Sequence, residues 1–426
     1  MAISPSRIAA FDCLSAIDAR TAFSADALAA VEPSLGEKDR GLCHEIVLGS
    51  LRHQIYLDRL IQKFAGEKKL DRAVRVALRI GIYQLLFLDR IPAFSAINES
   101  VELVRKAKKA SATGFVNAIL RRTTREDLGL TFNDDIDQIV VETSHPRWLI
   151  ERWIGEFGRE RTIEIARANN AEPSLAFRRT ARPSDADLDE LGRPSQYVAG
   201  CRLRSGVTRR LIELEREGVI YFQDESSQLV ASAASPNCGE RVLDVCAAPG
   251  SKTGMLALSG RALIIAGDIT RTRLATLRSN LERQGVIGVN ICQYDASTYL
   301  PFADSAFDLV IVDAPCSGTG TIRHNPEIRY NLAADDVARH SSKQLKIVLN
   351  ASKTLKKGGR LIYSTCSIER DENEDVIRRL LAKRPDLAVI RPDVNERFIT
   401  DEGFARTFPD RDDMDGFFIA QVTRTA

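Results

Sequence analysis

The stretch LVIVDAPCSGTG (309–320) runs from a continuous apolar segment into an aspartate, a proline and a cysteine. A second stretch, GGRLIYSTCSIE (358–369), ends another apolar segment at Cys366. Continuous Val, Ile and Leu runs of this length are typical of strands buried on both faces of a parallel sheet. Because the carboxyl ends of parallel strands share one edge of the sheet, the two cysteines are predicted to lie at one site.

The region around these stretches, from Gly239 onward, alternates short apolar runs with helical ones. The predicted strands are RVLDVCAA, ALIIAGDIT, VNICQYDAS, FDLVIVDAP and RLIYSTCS, and the predicted helices include TRLATLRSNLERQG and KQLKIVLNASKTLKKGG. This alternation predicts an α/β, Rossmann-like domain with a parallel sheet over residues 239–426.

The remainder of the chain predicts two further parts of a multidomain protein. Residues 1–126 read as an all-α bundle, in which RAVRVALRIGIYQLLFL (72–88) forms an apolar helix that Pro92 is expected to stop. Another helical run spans 37–64. Residues 127–238 mix one helical pattern with short strand-like pieces, which predicts a small α+β linker module.

Composition and charge narrow the class of protein. The 426 residues include 60 Lys and Arg and 58 Asp and Glu, so the net charge is small. The sequence has no apolar run of membrane-spanning length and no cleavable leader, which predicts a cytoplasmic protein. We expect it to be a monomer. Basic residues gather in 104–122, notably Arg105, Lys106, Lys108 and Lys109. This cluster is either a nucleic-acid surface or a plain solvated helix face. The eight cysteines contain no C-x-x-C pair, which argues against zinc and a disulfide framework, so no metal is expected.

The stretch LDVCAAPGSKTGMLA (243–257) predicts a ligand loop after the first strand. Its small residues and Gly250 allow the backbone to approach a ligand closely. The next two strands end at Asp268 and Asp295, and the first of these is placed to accept both hydroxyls of a ribose. Neither a G-x-x-x-x-G-K-[ST] nor a G-x-G-x-x-G pattern occurs, which favours a nucleoside without a pyrophosphate, such as S-adenosylmethionine.

Asp313, Cys316 and Cys366 suggest a particular reaction beside such a ligand. A pyrimidine ring carbon is a poor nucleophile, and a thiolate that adds to the neighbouring ring carbon activates it for methylation. The step needs an acid at the ring nitrogen, a role that suits Asp313, and a group that helps to break the adduct afterwards. Two cysteines suit attack and release, but physical chemistry alone leaves their order open.

The motifs LDVCAAPGSKT, DAPCSGTG, YSTCSIERDENE and MDGFF resemble, in order and spacing, the Sun family of RNA (cytosine-5) methyltransferases. The helical stretches 39–61 and 97–122 resemble a NusB-like RNA-binding domain. The resemblance implies transfer of methyl from S-adenosylmethionine to a cytosine in RNA, with small-subunit ribosomal RNA as the expected partner. It implies Cys366 as nucleophile and Cys316 as the cysteine that assists release. It places the cofactor on these residues: Cys246, Ala247, Ala248, Pro249, Gly250, Ser251, Lys252, Asp268, Asp295 and Asp313.

Two departures from the family pattern bear on the site. Ser251 stands where the family usually has a second glycine, and its Cβ would crowd the ligand if that residue needed positive φ. IRHNPEIRY (322–330) is less basic than the family's usual run, which bears on local RNA contacts. Two alternative functions stay open: the same chemistry on transfer RNA, and a ribosome assembly factor that binds RNA without turnover.

Overall fold

A computed structural model of the protein describes residues 3–258, 260 and 262–425. The chain forms two compact units. The first holds the chain up to Ala171 together with Ile322–Leu332, and the second holds Glu172–Thr321 and the chain from Ala333 on. Among the described helices, none has both the length and the hydropathy that crossing a bilayer requires.

The first unit is helical, as predicted. Its helices are α1 (Pro5–Asp18), α2 (Ser24–Val31), α3 (Glu37–Arg52), α4 (Gln54–Ala65), α5 (Arg72–Phe87), α6 (Ala93–Lys106), α7 (Thr113–Thr123), α8 (Asp135–Thr143), α9 (Arg147–Phe157) and α10 (Arg159–Ala168). Short 3₁₀ turns occupy Glu32–Ser34 and Ala110–Ala112. Because α8 to α10 belong to this unit, the boundary predicted at 126 falls between two of its helices.

Helix α5 supplies the centre of the first unit's core. Val74, Leu78 and Ile82 recur at intervals of four on one face and are buried. The prediction that Pro92 stops this helix is wrong: α5 ends at Phe87, and Pro92 instead caps the start of α6. The helical run predicted over 37–64 is two helices that break at His53.

The second unit begins with a small α+β module, as predicted. Its elements are β1 (Leu175–Arg179), β2 (Arg193–Pro194), β3 (Cys201–Arg204), α11 (Arg209–Arg216), β4 (Ile220–Phe222) and α12 (Glu225–Ala234). The strands form an antiparallel sheet in the order β2-β3-β1-β4.

The Rossmann-like part follows in the same unit. Its elements are β5 (Arg241–Asp244), α13 (Ser251–Ala257), β6 (Leu263–Asp268), α14 (Arg271–Arg283), β7 (Asn290–Gln293), β8 (Phe307–Asp313), α15 (Ile328–Asn331, in the first unit), α16 (Ala334–Lys353), β9 (Leu355–Thr365), α17 (Glu374–Lys383), β10 (Leu387–Ile390), β11 (Ala405–Arg406), α18 (Pro409–Asp412) and β12 (Phe418–Arg424). The boundary predicted at 238 falls between α12 and β5.

The large sheet has the strand order β10-β12-β9-β8-β5-β6-β7, with β11 beside β12. The predicted parallel pairing holds from β9 through β7, but β12 runs antiparallel to β9, so the sheet is mixed. The helix predicted through 343–359 ends at Lys353, and LKKGG instead begins β9. Apolar clusters cover both faces of the central strands, which leaves their carboxyl ends as the edge where a ligand can bind.

The segment Ile322–Leu332 follows the Cys316 loop in sequence but packs within the helical unit. The guanidinium of Arg329 is fully buried and donates to the side chain of Asn170 at 2.8 Å and to the carbonyl of Ser144 at 3.2 Å. Glu327 accepts hydrogen bonds from the backbone and hydroxyl of Ser24. Much of this segment is therefore core of the first unit rather than a free surface.

Candidate active site

Seven of the predicted cofactor residues lie in the segment Cys246 to Lys252, which joins β5 to the first turn of α13. The backbone N–H of Ala247 donates to the carbonyl of Gly267 at 2.8 Å, which fixes the loop beside β6. Gly250 has φ of 101°, and a Cβ there would lie 2.7 Å from Leu277. Glycine is therefore required at this turn. Ser251 begins α13 without a positive φ, so its Cβ causes no backbone strain.

Asp268 lies at the end of β6 and is almost fully buried. Its carboxylate accepts hydrogen bonds from the backbone N–H groups of Ala248 at 3.0 Å and Ile269 at 2.8 Å. Arg273 Nε also donates to it at 2.7 Å, and the same guanidinium reaches the carbonyl of Ala248. The residue predicted to accept ribose hydroxyls is thus held in place by its own loop and by α14.

Asp295 follows β7 and is half-buried. The hydroxyl and the backbone N–H of Ser297 donate to its carboxylate at 2.6 and 2.9 Å. The Ser297 hydroxyl lowers the pKa of Asp295 more than partial burial raises it, and the charge of Lys343 adds to the lowering. Asp295 is therefore an ionised acceptor on the same sheet edge as Asp268.

Asp313 ends β8 and pairs with Lys252 from the cofactor loop. Lys252 Nζ lies 2.7 Å from Asp313 Oδ2, and the Ser364 hydroxyl donates to the other oxygen at 2.9 Å. Burial lowers the pKa of Lys252, but the Asp313 charge and hydrogen bond and the charge of Cys366 raise it further, so the net pKa is raised. Lys252 therefore stays an ammonium ion, 93% buried, beside the predicted acid and nucleophile.

The two predicted cysteines are neighbours. Cys316 Sγ and Cys366 Sγ lie 3.2 Å apart, and both thiols are free and half-buried. The hydrogen bond with Cys366, burial and the charge of Glu372 together raise the pKa of Cys316 well above its usual range. Cys316 therefore keeps its proton at neutral pH.

Sequence reasoning missed Asp244, the last residue of β5. Its side chain is enclosed and accepts a hydrogen bond from the Thr253 hydroxyl at 2.7 Å, while its Oδ1 has no hydrogen-bond partner among the described residues. Burial raises the pKa of Asp244 to about 7; the Thr253 hydrogen bond opposes this, and the nearby Asp313 and Asp268 add to it. The signal in the sequence was the acidic residue that ends this strand, as others end β6 and β8.

Ion pairs neutralise part of the positive charge of the predicted basic cluster in the first unit. Lys109 pairs with Asp71 at 2.8 Å, Arg105 forms an ion pair with Glu102, and Lys106 lies 3.8 Å from Asp12. Glu102 lies one turn before Arg105 on α6, whereas Asp71 and Asp12 come from regions that are distant in sequence. The cluster thus carries a smaller net field than a run of free cations would.

The comparisons with known proteins agree with this architecture. The family model for the 16S rRNA methyltransferase RsmB/F matches residues 231–423, and the NusB family model matches residues 4–125. Ribosomal RNA small subunit methyltransferase B of Pseudomonas putida is 35% identical over 442 residues, which cover 99% of this chain and 98% of that protein. The probable ribosomal RNA small subunit methyltransferase B of Bacillus subtilis is 32% identical over 410 residues, with 92% of each chain covered. The crystal structure of PH0851 has the same fold, with a TM-score of 0.83 at 24% identity and full coverage of both chains.

A NusB-like helical domain combined with a Rossmann-like methyltransferase domain defines the class of protein: a two-part methyltransferase. Within that class, the chain belongs to the RsmB/F family of 16S rRNA methyltransferases. The resemblance that the four motifs carried is confirmed at the level of the family.

Proposed function

We propose that the protein transfers a methyl group from S-adenosylmethionine to carbon 5 of a cytosine in 16S ribosomal RNA through a covalent cysteine adduct. The proposal rests on the 3.2 Å separation of Cys316 Sγ and Cys366 Sγ. Cys316 lies three residues after Asp313, the last residue of β8, and Cys366 directly follows the last residue of β9. Methylation of an exocyclic amine or a hydroxyl would need no such pair, because those groups are nucleophiles already.

The residues at the strand ends fit S-adenosylmethionine. Asp268 and Asp295 offer carboxylate oxygens to hydroxyl donors, the loop at Ala247 and Ala248 presents little side chain, and Asp244 Oδ1 is a buried acceptor without a hydrogen-bond partner in the described part of the chain. When bound, this cofactor supplies a methyl group on a positively charged sulfur. A site with three acidic strand ends suits such a cation better than it suits a phosphate.

The surroundings of the two thiols support Cys366 as the nucleophile. Lys252, an ammonium ion, lies close enough to Cys366 for the charge of that residue to contribute to the raised pKa of Lys252. For Cys316, the hydrogen bond with Cys366, burial and the charge of Glu372 raise the pKa, which favours the protonated thiol. Attack by the Cys366 thiolate forms a bond between Sγ and carbon 6 of the ring as the double bond between carbons 5 and 6 opens, while Asp313 hydrogen-bonds at the ring nitrogen. The freed electron pair on carbon 5 would then form the bond to the methyl group, whose bond to the positively charged sulfur would break.

Release reverses the attack. The bond between carbon 5 and its proton breaks, the electron pair forms the double bond to carbon 6, the proton passes to water, and Cys366 leaves with the sulfur's bonding pair. Cys316 can donate its S–H to the departing thiolate across the 3.2 Å gap, which lowers the cost of this step. The target base must first leave any stack to reach a site at this depth.

The test uses three cysteine variants with small ribosomal subunits and S-adenosylmethionine. Cys316→Ala should accumulate a protein–RNA band that survives denaturing electrophoresis and disappears after ribonuclease, whereas Cys366→Ala should give neither band nor methylation. Cys238→Ala, at an exposed cysteine, is the control and should behave as the parent chain. A band from Cys366→Ala would reverse the roles, and active variants without any band would refute the adduct.

The substrate is tested separately. Bisulfite sequencing of RNA from cells that lack the gene should lose the signal at one cytosine of 16S ribosomal RNA. Loss in a transfer RNA would favour the same chemistry on that substrate. An unchanged pattern in both would favour an assembly factor without turnover.

A further inference from the structure

Glu372 is a buried acidic residue between the two cysteine loops, and its side chain touches none of the reacting atoms in the reaction above. Its side chain is fully enclosed. Oε1 accepts from the backbone N–H of Ser317 at 2.9 Å and from Gln344 Nε2 at 3.1 Å, and Oε2 accepts from the Ser317 hydroxyl at 2.5 Å. Every one of these donors is itself buried. Such a site is built around the carboxyl group rather than left open to solvent.

These hydrogen bonds hold the chain on both sides of Cys316. Ser317 follows the cysteine directly, and Gln344, besides binding Glu372, donates to the carbonyl of Pro315 at 3.0 Å. Glu372 therefore binds Ser317, the residue after Cys316, directly. It holds Pro315, the residue before Cys316, through Gln344. The thiol has little freedom beyond its own side-chain rotation.

The same group of hydroxyls links this loop to the one that carries Cys366. The Ser317 and Ser367 hydroxyls lie 3.1 Å apart, and the backbone N–H of Gly320 donates to the carbonyl of Cys366 at 3.0 Å. Ser367 follows Cys366 as Ser317 follows Cys316. The network therefore sets the distance between the two loops at the residues next to the sulfur atoms.

Placing a carboxyl group here has an energetic cost. Burial raises the pKa of Glu372, and the hydrogen bonds from Ser317 and Ser367 only partly oppose that rise. A glutamine or an apolar residue would avoid the desolvation cost. A group retained at such a cost, with its acceptors directed at one cysteine loop, points to a requirement for the position of Cys316.

We propose that Glu372 is a positioning residue that holds Cys316 within hydrogen-bond distance of the Cys366 sulfur, and that this contact governs release of the RNA adduct. Glu372 does not touch the reacting atoms; it acts through the backbone of Ser317 and through Gln344. The proposal rests on the two-cysteine reaction proposed above. It predicts that removal of the carboxylate slows release of the adduct much more than it slows attack and methyl transfer.

The experiment compares Glu372→Ala with Cys316→Ala in single-turnover methylation of small ribosomal subunits. Methyl transfer by Glu372→Ala should stay within about threefold of the parent chain, whereas adduct release should slow about tenfold or more, with a ribonuclease-sensitive band. Glu372→Gln keeps one acceptor for Ser317 and should restore part of the release rate. A residue with a purely structural role would lower both rates together and trap nothing.

Glu374→Gln is the matched control. Glu374 is another buried acid in the same segment, but its carboxylate pairs with Arg406 at 3.1 Å. Its loss should affect stability without a trapped band. If Glu372→Ala does not fold, Ser317→Ala carries the same expectation: it removes the hydroxyl contacts with Glu372 and Ser367 and keeps the backbone hydrogen bond to Glu372.

The outcomes separate the two proposals. A band from Cys316→Ala but none from folded Glu372→Ala, Glu372→Gln or Ser317→Ala would overturn the positioning role and leave the reaction intact. Absence of a band from Cys316→Ala would overturn the reaction itself. A band from both Cys316→Ala and the Glu372 variants, with methyl transfer retained, supports the positioning role.

Discussion

Asp244 offers a quantitative test of the electrostatics of the site. Burial raises its pKa from 3.8 to about 7, with Asp313 and Asp268 adding to the rise and the hydrogen bond from Thr253 and the charge of Lys252 opposing it. The unfolded value is about 3.9, so the shift is about three units, and at about 1.4 kcal/mol per unit the buried charge costs roughly 4 kcal/mol at pH 8.

The sign of this effect follows from linkage. A carboxyl whose folded pKa exceeds its unfolded value binds its proton more tightly in the folded state. Its contribution to stability is complete below about pH 4 and is lost as the pH rises through about 7. Asp244→Asn keeps an oxygen for the Thr253 hydroxyl and carries no charge. The variant should therefore be more stable than the parent chain by about 2 to 4 kcal/mol at pH 8, with a much smaller difference at pH 4.

The measurement must report on the second unit. Both tryptophans, Trp148 and Trp153, belong to the first unit, so fluorescence would follow the wrong part of the chain. Hydrogen exchange of the β5 amides without ligand, at several pH values with intrinsic rates corrected, gives the opening free energy locally.

Asp308→Asn provides the control with the opposite sign. Burial raises the pKa of Asp308, but the hydrogen bond from Lys356 and other contacts lower it further, so the net pKa is lowered and the stabilising contribution is lost as the pH falls. Asp308→Asn should therefore be less stable than the parent chain, mainly at neutral pH. Equal effects of Asp244→Asn at pH 4 and pH 8, or a loss of stability at pH 8, would refute the assignment of a neutral Asp244.

Two further predictions concern binding. Asp268→Ala should cost about 2 to 4 kcal/mol of S-adenosylmethionine affinity, and Asp268→Asn less, by calorimetric titration; unchanged affinity in the Ala variant would place the cofactor elsewhere. On α16, Lys343 and Lys346 line an exposed groove of about 390 Å³ beside Ser297, and their joint change to Glu should weaken RNA binding and reduce its salt slope by about 0.7 per lost phosphate contact. Lys357→Glu, near the amino end of β9, is the control. An equal loss of RNA affinity in this variant and in the Lys343 and Lys346 double variant would mean that the effect comes from net charge alone.

The sequence could predict the positions of the site residues because strand ends are local features. Apolar runs that stop at Asp268, Asp313 and Cys366 identify the carboxyl edge of a parallel sheet without knowledge of strand order. Their separation is a different matter. The 3.2 Å contact of the sulfur atoms exists because β8 and β9 are adjacent, with Asp313 opposite Ser364, and adjacency is not encoded in spacing along the chain.

Other features depended on tertiary contacts that periodicity does not reveal. β12 inserts antiparallel between β9 and β10, although its sequence reads like any other buried strand. The ion pairs of Lys109 with Asp71 and of Lys106 with Asp12 join residues that are distant in sequence. The segment Ile322–Leu332 packs in the helical unit because Arg329 donates hydrogen bonds to buried acceptors there. No local sequence pattern predicts these contacts.

The adjacency of β8 and β9 also gives the two cysteines of the proposed reaction different surroundings. A hydrogen-bonded thiol pair shares its remaining proton after one ionises, so nearby fixed charges decide which sulfur becomes the thiolate. Lys252, an ammonium ion held by Asp313 at the end of β8, lies near Cys366, whereas the hydrogen bond with Cys366, burial and the charge of Glu372 raise the pKa of Cys316. Lys252 and Glu372 are both buried, where solvent screens charges weakly. The proposed order of attack and release thus depends on residues outside the two cysteine stretches 309–320 and 358–369, so those stretches alone left the order open.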